Sequence, residues 1–253
     1  MTSKKIITLA ILTKNEEKNI VDCIKPFSYI VSEIIVSDQS STDATVPLAQ
    51  SLGARVIRSS AISFGERRNE CLENSKTDYV LFLDADERPD RNMISFVENF
   101  HPKDGVSSYR FARADHFWNK RLTHGEVSRA FSDGIDRLVN KNSVHFVGDV
   151  HEVAHISQGA SQKGLGTIEH YPHKNINEFV TEINKYSTIR AKELQNKKSS
   201  YQVIFELIVF PPSKFWYNYL LKLGFLDGAA GFTYCFLMAF HSFLVRAKIL
   251  ASK

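Results

Sequence analysis

Short apolar runs alternate with amphipathic stretches through about the first 90 residues, and this alternation constrains the fold more than any other feature of the chain. Ile6 to Leu12, Glu33 to Ser37, Ala54 to Ile57 and Tyr79 to Leu83 read as strands. Between them, Asn15 is placed to cap a helix through about Ile24. Thr42 leads a second through Val46, Ala49 and Leu52 to a stop at Gly53, and Phe64 to about Asn74 forms a third. Strands apolar on both faces, separated by helices of this length, predict a mostly parallel α/β sheet sandwiched by helices. Ligands of such sheets bind beyond the carboxyl ends of the strands. Polar clusters fall at three of those ends: Thr13, Asn15 and Glu16; Asp38, Ser40, Ser41, Thr42 and Asp43; Asp84, Asp86 and Glu87. Asp43 also has the position of an ordinary helix cap.

Beyond this region, Ser108 to Ala112, Val144 to Val150 and Val153 to Ile156 predict further strands, with Gly125, Gly134, Gly148, Gly159, Gly164 and Gly166 marking turns. A helix follows from Asn177 to Leu194, its packing stripe drawn through Phe179, Ile183, Tyr186 and Arg190. Tyr201 to Lys253 is the most apolar stretch, divided by Pro211-Pro212 and interrupted by Asp227, Gly228 and His241. Residues 1–173 carry 21 Lys/Arg against 23 Asp/Glu, whereas residues 174–253 carry 11 against 5. A part both basic and apolar suits an anionic membrane surface better than a nucleic acid, so no nucleic-acid partner is expected. The expected division is residues 1–175 as one domain, with a nucleotide-binding half (1–90) and an acceptor-binding half (91–175). Residues 176–253 follow as a helical extension that associates with a membrane or forms a homodimer. Cys23, Cys71 and Cys235 form no paired motif, which fits reduced thiols in a cytoplasm. The N-terminal apolar run breaks at Thr13-Lys14-Asn15-Glu16-Glu17, so it reads as a strand and not as a signal peptide.

Asp84-Ala85-Asp86-Glu87 follows a buried-type strand. Hard divalent cations such as Mg²⁺ or Mn²⁺ are held by one or two carboxylates together with substrate phosphates, and two Asp one residue apart at a strand end can serve that purpose. No G-x-G-x-x-G follows the first strand and no G-x-x-x-x-G-K-[ST] occurs, which excludes the dinucleotide and P-loop grips.

Ile11-Leu12-Thr13-Lys14-Asn15-Glu16-Glu17-Lys18-Asn19-Ile20, Val36-Ser37-Asp38-Gln39-Ser40-Ser41-Thr42-Asp43 and Leu83-Asp84-Ala85-Asp86-Glu87 resemble, in order and spacing, the three signatures of family-2 glycosyltransferases with the GT-A fold. Phe64-Gly65-Glu66-Arg67-Arg68-Asn69 resembles that family's helix between the second and third signatures. Arg137-Leu138, Val150-His151-Glu152, His170-Tyr171 and Gly224-Phe225-Leu226-Asp227-Gly228 look like the bacterial branch that glucosylates the lipopolysaccharide inner core. The resemblance implies a GT-A-type Rossmann-like sheet with a C-terminal apolar helical extension. It implies an inverting, metal-dependent transfer from a nucleotide diphosphate sugar, such as UDP-glucose, to a glycan or lipid-linked acceptor. The enzyme would be cytoplasmic and peripheral to the inner membrane. Thr13, Asn15, Glu16, Asp38, Arg67, Arg68 and Asp84 are then expected at the nucleotide-sugar, with Asp86 on the metal. Beside the resemblance, His151, His170 or His173 could each supply a further ligand to that metal. Glu152 is the expected base, with Asp149 as its competitor.

Two rivals remain at this point. His151-Glu152-Val153-Ala154-His155 matches the H-E-x-x-H of zinc peptidases, which requires a helix to bring both imidazoles to one metal. A non-enzymatic scaffold docking on membranes through the basic tail would bind lipid without regard to Asp86.

Overall fold

The protein is seen in a computed structural model that describes residues 6–148, 152–173, 175–195, 197 and 199–252. It divides into two compact units. The first comprises residues up to Arg113 together with Asp133–His170, and the second comprises Ala114–Ser132 and residues from Tyr171 onward.

The first unit opens with β1 (Ile7–Thr13), α1 (Ile20–Ile24), β2 (Glu33–Asp38), α2 (Thr45–Ser51), β3 (Arg55–Arg58), α3 (Phe64–Asn74) and β4 (Tyr79–Asp84). β5 (Glu87–Pro89), α4 (Arg91–Glu98) and β6 (Val106–Phe117) follow. β7 (Lys120–Leu122) and α5 (Ser128–Ser132) lie in the second unit. The chain then returns to the first as β8 (Ile135–Asn140), β9 (Val144–Val147), β10 (Val153–Ile156) and β11 (Ala160–His170). The strand order is β3-β2-β1-β4-β8-β6-β11-β5. β3, β2, β1 and β4 are parallel, whereas β8 pairs antiparallel with both β4 and β6, and β11 pairs antiparallel with β5. The α/β arrangement read from the first 90 residues is therefore the parallel half, and the strands from residue 106 on extend it.

Pleating explains why the central strands are apolar on both faces. In β1, Ile7, Leu9 and Ile11 pack with α1, α2 and α4, while Ala10 and Leu12 face Cys71 and Leu72 of α3 and Phe146 of β9. α3 begins with a capping box: Ser63 accepts the Glu66 N–H, and the Glu66 carboxylate accepts the Ser63 N–H.

Several local expectations change. Asn15 does not cap α1, which starts at Ile20 after Asn19; it sits instead in a left-handed turn at φ 58°. Gly164 and Gly166 mark close approaches inside β11 rather than turns. A Cβ on Gly164 would lie 2.7 Å from the Phe111 ring, and one on Gly166 would lie 2.2 Å from the Met93 nitrogen. Missing that role hid an eleven-residue strand.

In the second unit, α6 (Ile176–Leu194), α7 (Ser200–Trp216) and α8 (Gly228–Ala251) account for the C-terminal apolar extension. The buried stripe of α6 runs through Phe179, Ile183, Ser187 and Ala191; Tyr186 and Arg190 are exposed because the packed face steps by four residues. Pro211 and Pro212 lie within α7 instead of dividing the segment, and a wider π-type turn, Tyr217–Leu221, follows them. Gly224–Ala251 is long and apolar enough to cross a membrane by length and composition.

All three cysteines are buried, and burial pushes the Cys71 thiol up to about 12 and the Cys235 thiol up to about 11. The folded protein is expected to release almost no thionitrobenzoate from Ellman's reagent at pH 8 within minutes, against three equivalents after denaturation. Fast reaction of one thiol in the native protein would show that its burial is not maintained.

Candidate active site at the carboxyl ends of the parallel strands

β1 lies between β2 and β4, in a register that sets Thr13 beside Asp38 and Leu12 beside Asp84. Two strand spacings of roughly 4.8 Å place Asp38 and Asp84 about 10 Å apart on one sheet edge. The expected donor residues form one wall of this edge. The Thr13 hydroxyl donates to Asp38 at 3.2 Å, and Asp38 also accepts the Ser41 N–H at 2.9 Å and the Ser41 hydroxyl. The loops after β1 and β2 are stitched reciprocally. The Asn15 N–H donates to Ser41 Oγ at 2.8 Å, and the Asn15 side-chain Oδ1 accepts the Thr42 N–H at 2.9 Å. Glu16 N–H donates to Thr45 Oγ1 at 2.7 Å, and Asp43 accepts the N–H groups of Glu17 and Thr45. Asp43 thus holds the turn into α2.

The two arginines of α3 have different surroundings. Arg67 is 4% exposed and its guanidinium donates to the carbonyls of Thr13 (3.0 Å) and Ser37, which ties the ends of β1 and β2 together. Burial lowers its affinity for a proton. Arg68, 2% exposed, lies over the rings of Phe82 and Phe146 and reaches two carboxylates. Its Nη2 donates to Asp84 Oδ1 at 3.1 Å and its Nε to Glu152 Oε1 at 2.8 Å. Arg68 therefore joins Asp84, the last residue of β4, to the predicted base, which lies 84 positions beyond Arg68 in sequence.

Arg137 completes this network. From β8 its Nη2 donates to Asp84 Oδ2 at 2.9 Å and to Glu87 Oε1 at 2.6 Å. Glu87 is fully buried and also accepts the Asp84 N–H at 3.0 Å. Burial works against ionisation of Asp84, but the charges of Arg137 and Arg68 outweigh it and hold this carboxyl well below the usual carboxylate range. At Glu87 burial prevails, helped by the charge of Asp84 and opposed by Arg137, and the carboxyl is raised. Asp86 faces His170 of β11 instead of an arginine, with Oδ2 3.4 Å from Nε2 and a quarter of its side chain exposed. Asp84 and Asp86 are both partly exposed and differ in their partners: the first is fixed by two guanidiniums, and the second lies beside an imidazole.

Thr13, Asn15, Glu16 and Asp38 form one cluster, and Arg68, Asp84, Asp86 and Glu152 form the neighbouring one. Asp149 and His151, expected as alternative base and metal ligand, lie outside the described residues. Glu87 and Arg137 were not assigned roles from sequence, although Glu87 belongs to the third signature and Arg137-Leu138 had been matched. A charged residue inside an apolar strand, as Arg137 is in Ile135–Asn140, is the signal that could have found it. The H-E-x-x-H geometry does not form: Val153–Ile156 is a strand, and His155 pairs with His145 across β9. Among the described residues no group of three or more His, Cys, Asp or Glu side chains is arranged to hold a metal alone. A surface cavity of about 710 Å³ lies elsewhere, beside Phe96, Phe100 and Tyr109, and none of these carboxylates lines it.

Residues 8–151 match the model of glycosyl transferase family 2. The chain belongs to this family and is a glycosyltransferase. It is 29% identical over 265 residues to an uncharacterized glycosyltransferase of Rickettsia typhi, covering 97% of this chain and 87% of that protein. It is 25% identical over 255 residues to the lipopolysaccharide core biosynthesis glycosyltransferase LpsC of Rhizobium meliloti, covering 98% of this chain and 93% of that one. Among solved structures, Mycobacterium tuberculosis glucosyl-3-phosphoglycerate synthase, in complex with Mn²⁺, uridine diphosphate and phosphoglyceric acid, superimposes with a TM-score of 0.48 and 18% identity. That match covers 70% of this chain and 74% of the other.

Proposed function

We propose that the chain is an inverting, metal-dependent hexosyltransferase. It moves a sugar from a uridine diphosphate donor, UDP-glucose or a close analogue, to a hydroxyl of a lipid-linked or glycan acceptor in lipopolysaccharide core assembly, at the cytoplasmic face of the inner membrane. The observation that carries this reading is the difference in partners between Asp84, fixed by two buried arginines, and Asp86, partly exposed beside His170.

The donor set suits Mn²⁺ or Mg²⁺. One carboxylate with one imidazole is too small a set to hold a cation alone, and suits one whose remaining ligands are diphosphate oxygens and water. Asp86 and His170 are the residues that would hold it, and the bound cation would supply charge neutralisation at the leaving diphosphate. The chain's own residues do the rest. Thr13, Asn15, Glu16 and Asp38 form the wall proposed to receive uracil and ribose, with Asp38 as the hydrogen-bond acceptor. Arg67 keeps the ends of β1 and β2 in register beneath them. Arg68 fixes Glu152 through Oε1 alone. Oε2 is the oxygen assigned to take the proton of the acceptor hydroxyl as it attacks the anomeric carbon. A single displacement of this kind inverts the anomeric centre. Residues 1–175 carry this chemistry, and 176–253 are assigned to membrane association.

Isothermal calorimetry tests the donor site. Uridine diphosphate is expected to bind with Mn²⁺ present and at least tenfold more weakly without it, and Asp86→Ala should abolish the metal dependence. Binding indifferent to both metal and Asp86 would refute the metal-dependent site.

A further inference from the structure

In the second unit, α8 packs against both α6 and α7, and these helices differ in what they leave outside. Phe179 and Ile183 of α6 meet Ala230, Tyr234 and Leu237 of α8, and Ala191 meets Val245 and Ile249 further along. α6 therefore accompanies α8 over most of its length. The outward side of α6 mixes half-exposed Ile176, Val180, Tyr186 and Ile189 with the exposed charged residues Glu178, Lys185, Arg190, Lys192 and Glu193. The uncovered side of α7 and α8 is apolar. On α8, Phe232, Phe236, Phe240 and Phe243 recur at helical spacing and are 36–55% exposed. On α7, Tyr201, Phe205 and Ile208 form a matching stripe at 65–87% exposure. Trp216, Tyr217, Leu221 and Leu223 extend it around the π-type turn, where the Lys222 ammonium lies over the Tyr217 ring at 5.3 Å.

Both acidic residues between Tyr201 and Ser252 are engaged. Glu206 pairs with Arg246 at 3.2 Å, and the buried Asp227 accepts the N–H groups of Thr123 and His124. The apolar face thus has no outlying carboxylate to repel an anionic surface, and one end combines Trp, Tyr and Lys in the manner of an interfacial belt.

We infer that the α7–α8 hairpin docks in the plane of an anionic lipid membrane through this phenylalanine-rich face, without spanning it. Length and hydropathy alone would allow Gly224–Ala251 to cross. Crossing, however, would take α6 along with α8 and place its row of charged side chains in hydrocarbon, where each is strongly disfavoured. Lying flat buries the phenylalanines and leaves α6 in water. The inference rests on the proposed membrane-bound acceptor only for its purpose, and it specifies how the enzyme reaches that substrate.

The test uses the full chain and vesicles of phosphatidylethanolamine with phosphatidylglycerol. The parent protein is expected to float with the vesicles and to be released by alkaline carbonate. A variant carrying Phe205→Ser, Ile208→Ser, Phe236→Ser and Phe240→Ser is expected to partition at least tenfold less, with its circular dichroism unchanged. In a Trp118→Phe background, the remaining Trp216 should shift to the blue and be quenched by lipids brominated near the headgroup more than by lipids brominated at the chain end. Retention after carbonate treatment, or strongest quenching from chain-end bromine, would overturn in-plane docking in favour of spanning. Vesicle binding undiminished in the quadruple variant would remove this face from the contact. A concentration-dependent dimer abolished by the same variant, with no vesicle binding by the parent, would assign the face to a second copy. Uridine diphosphate binding, measured on the same samples, reports separately on the proposed activity and has no bearing on these outcomes.

Discussion

Glu152→Gln is expected to lower the rate of sugar transfer by about two to four orders of magnitude, the usual contribution of a positioned general base. Uridine diphosphate binding should stay within about twofold of the parent. The substitution keeps an oxygen able to accept from Arg68 Nε, so the link from Glu152 through Arg68 to Asp84 survives in geometry while proton acceptance is lost. Single-turnover transfer, with donor binding measured in parallel, separates the two effects. Undiminished transfer would dismiss Glu152 as the base and transfer attention to Asp149, whose Asp149→Asn variant belongs in the same experiment.

The largest effect on stability is expected at Arg137. Arg137→Met removes the guanidinium that reaches both Asp84 and Glu87, leaving the fully buried Glu87 carboxylate with the more distant Arg113 guanidinium at 3.9 Å. Removing one partner of a buried ion pair costs roughly 3–5 kcal/mol, because the remaining charge is left in a medium that solvates it poorly. The methionine replaces most of the apolar stem, so the loss reports on charge more than on volume. Urea denaturation should show the midpoint falling with the slope little changed. Adding Glu87→Gln should recover a large part of the loss, since the neutral amide can still accept the Asp84 N–H. A single variant as stable as the parent would show that the network adds nothing to the fold.

The parallel half of the sheet was legible because strands buried on both faces carry apolar residues on both faces, as the runs Leu9–Leu12, Ile34–Val36 and Tyr79–Leu83 do. The strand-end rule then located Thr13, Asp38 and Asp84 without any three-dimensional information. What sequence could not supply was pairing at a distance. Arg68 and Glu152 are 84 positions apart, and their meeting depends on where the chain after β9 passes α3. β11 escaped notice because two of its glycines resemble turn signals until the Phe111 ring and the backbone at Met93 are seen against them. The start of α1 was misplaced because Asn15 is a good capping residue by type, but its side chain is committed to Thr42.

Asn15 and Ser40 are both held at positive φ, 58° and 56°, a conformation that costs roughly 1 kcal/mol for a residue other than glycine. Their loops keep it because each supplies hydrogen bonds that the other requires. The consequence is one of thermodynamic timing. The conformational entropy of these loops is surrendered when the chain folds, and little is left to lose when a ligand arrives. Association at this wall should therefore proceed without a slow ordering phase, and its affinity should depend on the fit of a surface already set.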